Sequence, residues 1–147
     1  MSETGLTIRD YLETDYPELM NLWVITDMGR PDRGDDNNTI LRSVSMGGML
    51  LVMTADNQHI IGSSWITFDG RRMHLHHFAI HPSHQGTGLS KPLLKASLAF
   101  VKEKGYQVKL EVHQTNQKAI NLYKNAGFRY LGDYDVYIIR DTGLINS

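Results

Sequence analysis

Ile80-His81-Pro82-Ser83-His84-Gln85-Gly86-Thr87-Gly88-Leu89-Ser90 is the stretch whose reading decides the fold. Before it, Met73 to Ile80 has the alternation of a strand. After it, Leu94, Leu98 and Val101 fall on one helical face, with Leu93 and Phe100 beside them, and the run closes at Lys104-Gly105, a basic last turn with a glycine stop. Glycine at alternate positions lets a loop curl so that successive backbone N–H groups point inward, and the helix that follows adds its unpaired N–H groups and positive dipole end. Such a nest binds pyrophosphate; read more plainly, the two glycines form a turn that starts a helix. Two phosphate motifs are excluded. A Walker loop needs Lys directly after its glycine, whereas Lys91 follows Ser90, and residue 91 does not supply the third glycine of the dinucleotide fingerprint.

Working outward, Val108, Leu110 and Val112 alternate with Lys109 and Glu111 as a strand. Met73 to Ile80 reaches that strand through a helix, so the two are expected to lie parallel. Upstream, Met49 to Thr54, Ile60 to Phe68 and Met73 to Ile80 are β-type runs separated by Asp56-Asn57 and Asp69-Gly70, which predicts a three-strand antiparallel meander. Leu6 to Arg9 reads as a further strand, and Asp15 with Glu18 gives a capping signal before Leu19, Leu22, Trp23 and Thr26 at helical spacing. Gly29 to Asn38 reads as a polar loop, followed by a short helix around Ile40 to Ser45. Beyond Val112, a helix is predicted from about Asn116 to Asn125, then strands at Phe128 to Leu131 and Val136 to Ile139 around Gly132-Asp133. The expected order is βααβββαβαββ: an α/β chain with a mixed sheet and helices on both faces.

Composition bounds the function. The 147 residues, 41% hydrophobic and 21% charged, suit one globular domain spanning 1–147. The absence of cysteine excludes a Cys nucleophile and a thiolate metal site. A net charge of -1 and a pI near 6.6 give no electrostatic footprint for nucleic acid. No basic stretch followed by an apolar run stands at the start, and no run approaches the roughly 20 apolar residues that span a bilayer, so a cytoplasmic setting without membrane contact is expected.

Gln85-x-x-Gly88-x-Ser90 after Ile80-x-Pro82 resembles the cofactor motif of the GNAT superfamily of N-acetyltransferases, Q/R-x-x-G-x-G/A after a strand ending V-x-P, with Ser90 in place of the usual Gly or Ala. A second segment, Asn116-x-x-Ala119-Ile120-x-Leu122-Tyr123-x-x-x-Gly127-Phe128, is similar to the family's N-x-x-A-x-x-x-Y-x-x-x-G-F helix and following strand. The resemblance covers the element order from Ile8 to Arg140, the N-terminal third by pattern alone.

The resemblance implies acetyl-CoA as cosubstrate, no metal, and transfer of the acetyl group to a primary amine in a ternary complex. It implies a splayed parallel strand pair, with pantetheine along the first strand at Phe78, Ala79 and Ile80 and the pyrophosphate on Gln85, Gly86, Thr87, Gly88, Leu89 and Ser90. Asn116, Ala119 and Tyr123 join the cofactor site from the second motif, and a backbone N–H near Ile80 polarises the thioester carbonyl. Tyr123 is the candidate acid for the leaving thiolate. Aligning Ala79-Ile80-x-Pro82 with the family puts His74 where many members carry a base, often a glutamate; His76 shares its face, and Glu111 on the next strand is the helper.

The acceptor stays open between small-molecule and peptide amines. Asp32, Asp35 and Asp36 lie in the loop that borders the acceptor pocket in this family, which would favour a cationic amine, although acidic loops are commonly just solvated. A homodimer is left open. Two other readings stand beside this one. The H-x-H spacing of His74 and His76 suits a metal site, with His59 or Glu111 as a third ligand. A non-catalytic acyl-CoA-binding module would keep the loop without turnover.

Overall fold

Alternation becomes a strand only where a neighbour pairs with it, and among the described residues that condition holds for five segments. The computed structural model describes residues 5–29, 34–56, 59–132 and 134–146. The chain divides into two compact units, Met1–Glu111 and Val112–Ser147. The first contains β1 (Leu6–Asp10), α1 (Tyr16–Ile25), α2 (Asn37–Ser45), β2 (Met49–Ala55), β3 (His59–Phe68), β4 (Arg72–Ile80), α3 (Ser90–Lys104) and β5 (Gln107–Leu110). Sheet order is β1-β2-β3-β4-β5, antiparallel as far as β4 and parallel between β4 and β5. The expected meander and parallel crossover are both present.

Adjacent residues of β3 show how the sheet is covered. Ser63 accepts a hydrogen bond from Trp23 Nε1 of α1 at 2.9 Å, whereas Ser64 shares one of 2.6 Å with Ser97 of α3. Successive strand residues point to opposite faces, so α1 and α3 lie on opposite sides of the sheet. On the α1 side, Leu19, Leu22, Trp23, Ile40, Leu50, Val52, Ile60 and Trp65 form one core, with the two indoles stacked at 5.5 Å. On the other side α3 buries Leu93, Leu94, Ser97 and Val101; Leu98, expected in this stripe, is only half-buried. The polar residue takes the central place because its hydroxyl is satisfied twice, by Ser64 and by the Leu93 carbonyl at 2.8 Å.

The capping signal at the first helix is realised differently. Asp15 precedes α1 but makes no side-chain bond to its first turn. Its carboxylate instead receives Arg9 Nη1 and Nη2 at 2.8 and 2.9 Å and the Leu12 N–H at 2.7 Å. The Arg9 hydrogen bonds hold its pKa below the ordinary value. Glu18 accepts the Ile60 N–H at 2.5 Å, tying α1 to the start of β3.

In the second unit, α4 (Gln117–Asn125) is capped by Asn116, whose side chain accepts the Ala119 N–H at 3.2 Å. The last two strands of the expected order are not formed: Phe128 to Leu131 and Val136 to Ile139 carry no ladder, and Asp133 of the turn between them lies outside the described residues. Tyr130, Leu131, Val136, Tyr137, Ile138 and Ile139 are exposed. Alternation is there, but the described residues of this unit include no strand for them to pair with. The described order is therefore βααβββαβα. Among the described residues no helix is long and apolar enough to cross a membrane.

Candidate active site

β4 leads into a single 3-10 turn, Pro82–His84, entered by His81, whose Nδ1 accepts the Ser83 N–H at 3.1 Å. The loop is braced by its own side chains. Gln85 Nε2 donates back to the Ile80 carbonyl at 2.8 Å, and Thr87 Oγ1 donates to the His84 carbonyl at 2.6 Å. Between and after these braces, Gly86 and Gly88 adopt φ of 78° and 82°, the left-handed region that side chains resist. A Cβ built at either glycine meets nothing within 4 Å, so the backbone conformation, rather than crowding within the chain, calls for glycine there. Leu89 and Ser90 follow at the start of α3, whose first turn receives no side-chain cap. Uncapped N–H groups and a positive helix end thus adjoin a loop with left-handed glycines, an arrangement suited to an anion. Pro92 stands in that same first turn, where its missing N–H costs nothing.

The β4–β5 ladder runs from Arg72↔Gln107 to Leu75↔Leu110 and stops. From His76 to Ile80, β4 continues against β3 alone, so the stretch containing Phe78, Ala79 and Ile80 lies where the parallel pair has ended. The expected parting of the two strands is thereby located.

The same part of β4 contains a bulge. Ser63 pairs with Ala79 and Trp65 with His76, which sets His77 and Phe78 against the single residue Ser64. His77 takes φ 47°. Strict alternation would put it opposite His76; the bulge brings its ring to the α1 side, 4.5 Å from Trp23 and 5.1 Å from Trp65. Its carbonyl accepts Ser63 Oγ at 2.7 Å. Nε2 of His77 is buried and lies 3.2 Å from Asp35 Oδ1, within ion-pair range but off the line of a hydrogen bond. Asp35 is itself buried. A Cβ at Gly29 would collide with both Asp35 Oδ2 and His77 Nε2, so the chain before α2 closes on this pair through a glycine.

His74 and His76 do share a face, their rings stacked 5.8 Å apart. His76 bonds Thr67 at 2.8 Å. Although part of it reaches solvent, its ring is crowded by its neighbours, and desolvation followed by the proximity of His77 and His74 lowers its pKa to about 4. His74 pairs in register with Lys109, and Glu111 lies one residue past the end of β5; among the described residues no hydrogen bond or ion pair joins His74 to Glu111. His59 stands opposite Ala55, at the other end of β3 from Thr67, the partner of His74. The three-ligand metal site read from the sequence is therefore not assembled, and among the described residues no three His, Asp or Glu side chains are grouped to hold a metal ion.

Asp32 lies outside the described residues. Asp36 precedes α2 and receives the Thr39 hydroxyl. Asp35 was read from the sequence as part of an acidic loop bordering the acceptor pocket, whereas its approach to His77 was not foreseen, because nothing in the sequence marks the bulge.

In the second unit Tyr123 is buried on α4, its ring 5.7 Å from Phe128. Burial pushes its phenol up to about 12. Its carbonyl accepts the Phe128 N–H at 3.0 Å, so the tyrosine and the Gly127-Phe128 end of the motif are locked together.

The fold is shared with solved acetyltransferases. The chain is similar to an acetyltransferase of the GNAT family from Staphylococcus aureus Mu50, at 20% identity over 90% of each chain with a TM-score of 0.78. It is similar to an acetyltransferase from Streptococcus agalactiae 2603, at 19% identity over 92% of each chain with a TM-score of 0.77. A third likeness is to a putative acetyltransferase from Salmonella typhimurium, solved with its cofactor acetyl-CoA: 21% identity over 85% of this chain and 80% of that one, TM-score 0.70. The family model described as Acetyltransferase (GNAT) matches residues 8–128, from β1 through the glycine loop to the Phe128 that ends the second motif, and the chain belongs to that family.

Proposed function

We propose that this acetyltransferase moves the acetyl group of acetyl-CoA to a primary amine by direct attack, with both substrates bound at once. The observation that carries the reading is the Gln85–Ser90 loop, with its two left-handed glycines beside an uncapped helix start, lying within the family match. In this reading the pyrophosphate takes the inward N–H groups, and pantetheine runs along β4 at Phe78, Ala79 and Ile80 as an added strand would. A backbone N–H near Ile80 polarises the thioester carbonyl.

Tyr123, with Asn116 and Ala119, is assigned through the second motif, which gives its hydroxyl to the leaving sulfur. Its buried phenol, at about 12, stays protonated under any ordinary assay condition. The proton of the amine goes to the histidines on β4, where the sequence's first pair is His74 with Glu111. His76 is a poor choice, because a base of about 4 holds a proton too weakly to draw one from an amine of about 10. A small-molecule or peptide amine is the acceptor class, and a cytoplasmic setting is part of the same reading. Asp35 and Asp36 are both engaged within the chain, so they offer little to select a cationic amine.

The test is thiol release from acetyl-CoA across a panel of amines (spermidine, tyramine, free amino acids and lysine-bearing peptides), with the acetylated product identified by mass. Amine-dependent release is the expected result. Tight binding of acetyl-CoA with no release for any amine would instead favour the acyl-CoA-binding module.

A further inference from the structure

We propose that His77, oriented by Asp35, is the base that takes the proton from the attacking amine. This rests on the amine-acetylating function just argued and assigns to it a pair of residues that the sequence motifs do not mark. Four observations converge on the pair. His77 lies on the stretch of β4 that β5 has left, next to the Phe78–Ile80 backbone assigned to pantetheine. Its backbone is held in the left-handed region, φ 47°, by a two-against-one bulge. The bulge is fixed from below: Trp23 Nε1 donates to Ser63 Oγ at 2.9 Å, and Ser63 Oγ donates to the His77 carbonyl at 2.7 Å. Finally, a buried carboxylate stands 3.2 Å from its Nε2.

Packing alone does not account for this construction. An apolar side chain would fill the space against Trp23 and Trp65 without the desolvation that a buried histidine and aspartate incur, so such a pair is weak support for stability. Left-handed backbone at a non-glycine residue adds strain, and strain of this kind concentrates at functional sites. Among the described residues, the polar groups near His77 are Asp35 from the segment before α2 and His76 and then His74 along β4; Tyr16 of α1 donates its hydroxyl to the Asp35 carbonyl at 3.4 Å. Asp35 is the one carboxylate among them. With Nε2 turned toward it, Nδ1 is the nitrogen left to meet the amine. Catalytic hydrogen bonds commonly tighten in the substrate complex, so a 3.2 Å contact off the hydrogen-bond line suits an orienting carboxylate.

The step balances as follows. The nitrogen lone pair of the neutral amine forms the N–C bond, the C–S bond breaks with its electrons going to sulfur, one N–H proton passes to His77 Nδ1, and the thiolate takes a proton from solvent. His77 then releases its proton to water. The net change is amine plus acetyl-CoA to amide plus CoA.

The experiment uses the full chain, the best acceptor from the amine panel, and the variants His77→Asn, Asp35→Asn and His74→Gln. Asparagine is chosen because it tolerates left-handed backbone. His77→Asn is expected to lower kcat about 10²–10³-fold, with KM for acetyl-CoA within about twofold. Asp35→Asn, a positioning change, lowers kcat by about tenfold without moving that KM. His74→Gln, which tests the rival pair with Glu111, is expected to lower kcat less than His77→Asn does. The assignment is overturned if His77→Asn retains kcat, or if His74→Gln lowers kcat more than His77→Asn does; amine acetylation itself then still stands. Should His77→Asn fail to fold by thermal melting, Asp35→Asn decides, and an unchanged kcat there refutes the dyad. If wild type acetylates no amine, the proposed function falls first and the dyad with it.

Discussion

Gly88 shows how little a residue needs to touch in order to matter. Its φ of 82° sits in open space, so valine there meets no neighbour and disturbs the chain only through backbone strain, about 1–3 kcal/mol. The larger effect falls on the ligand. A β-branched side chain would occupy the volume the pyrophosphate approaches, and Gly88→Val is expected to fold while losing at least about 100-fold in CoA affinity, an amount of about 2.7 kcal/mol. Calorimetric titration measures this directly, and unaltered affinity in a folded variant would put the phosphates elsewhere. Tyr123 raises a different question at the same scale. Burial pushes its phenol up to about 12, so the hydroxyl stays protonated, as the donor role proposed for it at the leaving sulfur requires. Loss of one such donor costs about 10²–10³-fold, so Tyr123→Phe should lower kcat and kcat/KM alike and leave acetyl-CoA binding intact. A packing tyrosine would behave otherwise, since phenylalanine keeps the ring against Phe128 and the rate with it.

Elements were legible where local chemistry specifies them. Asp69-Gly70 reads as a turn and is one: Asp69 Oδ1 accepts the Arg71 and Arg72 N–H groups at 2.8 and 2.7 Å, and Gly70 takes φ 92°. Lys104-Gly105 reads as a helix end, and Gly105 is left-handed at the close of α3. What depends on a distant partner was not legible. The β4 bulge is held by Ser63 from β3 and Trp23 from α1, Ser97 enters a core stripe because Ser64 faces it, and the two C-terminal alternating runs lack a ladder partner among the described residues of their unit. For the candidate site the consequence is direct. Motif spacing selected the Gln85–Ser90 loop and Tyr123, and alignment with the family selected His74; neither could see His77 turned by the bulge. The bulge is itself testable. Ser63→Ala leaves a buried Trp23 N–H and the His77 carbonyl without their partner, at about 2–4 kcal/mol. Ser64→Ala removes one neutral bond while Ser97 keeps Leu93, at about 1 kcal/mol. Urea unfolding should rank the two in that order; equal midpoints would mean the bulge is held without Ser63.

For the whole molecule, the family match runs from residue 8 to residue 128 and so spans both compact units, which makes cofactor binding a property to be measured on the full chain. Binding restricted to the native state adds RT ln(1 + [L]/Kd), about 2.7 kcal/mol at a hundredfold excess over Kd. For a chain of 147 residues each kcal/mol moves the melting midpoint by about 2–4 °C, so saturating acetyl-CoA should raise it by about 5–10 °C. CoA should act similarly, because the loop is proposed to offer backbone N–H groups to pyrophosphate and these do not distinguish the acetyl end. The controls carry the discrimination. NAD shares the pyrophosphate but not the pantetheine that β4 is proposed to pair with, and Zn²⁺ addresses the histidines alone. A midpoint raised by acetyl-CoA and CoA but not by NAD fits a loop and strand acting together. If NAD or Zn²⁺ raises the midpoint and both CoA forms leave it unchanged, the loop from Gln85 to Ser90 is not the acetyl-CoA site of this chain, and the assignment of β4 falls with it.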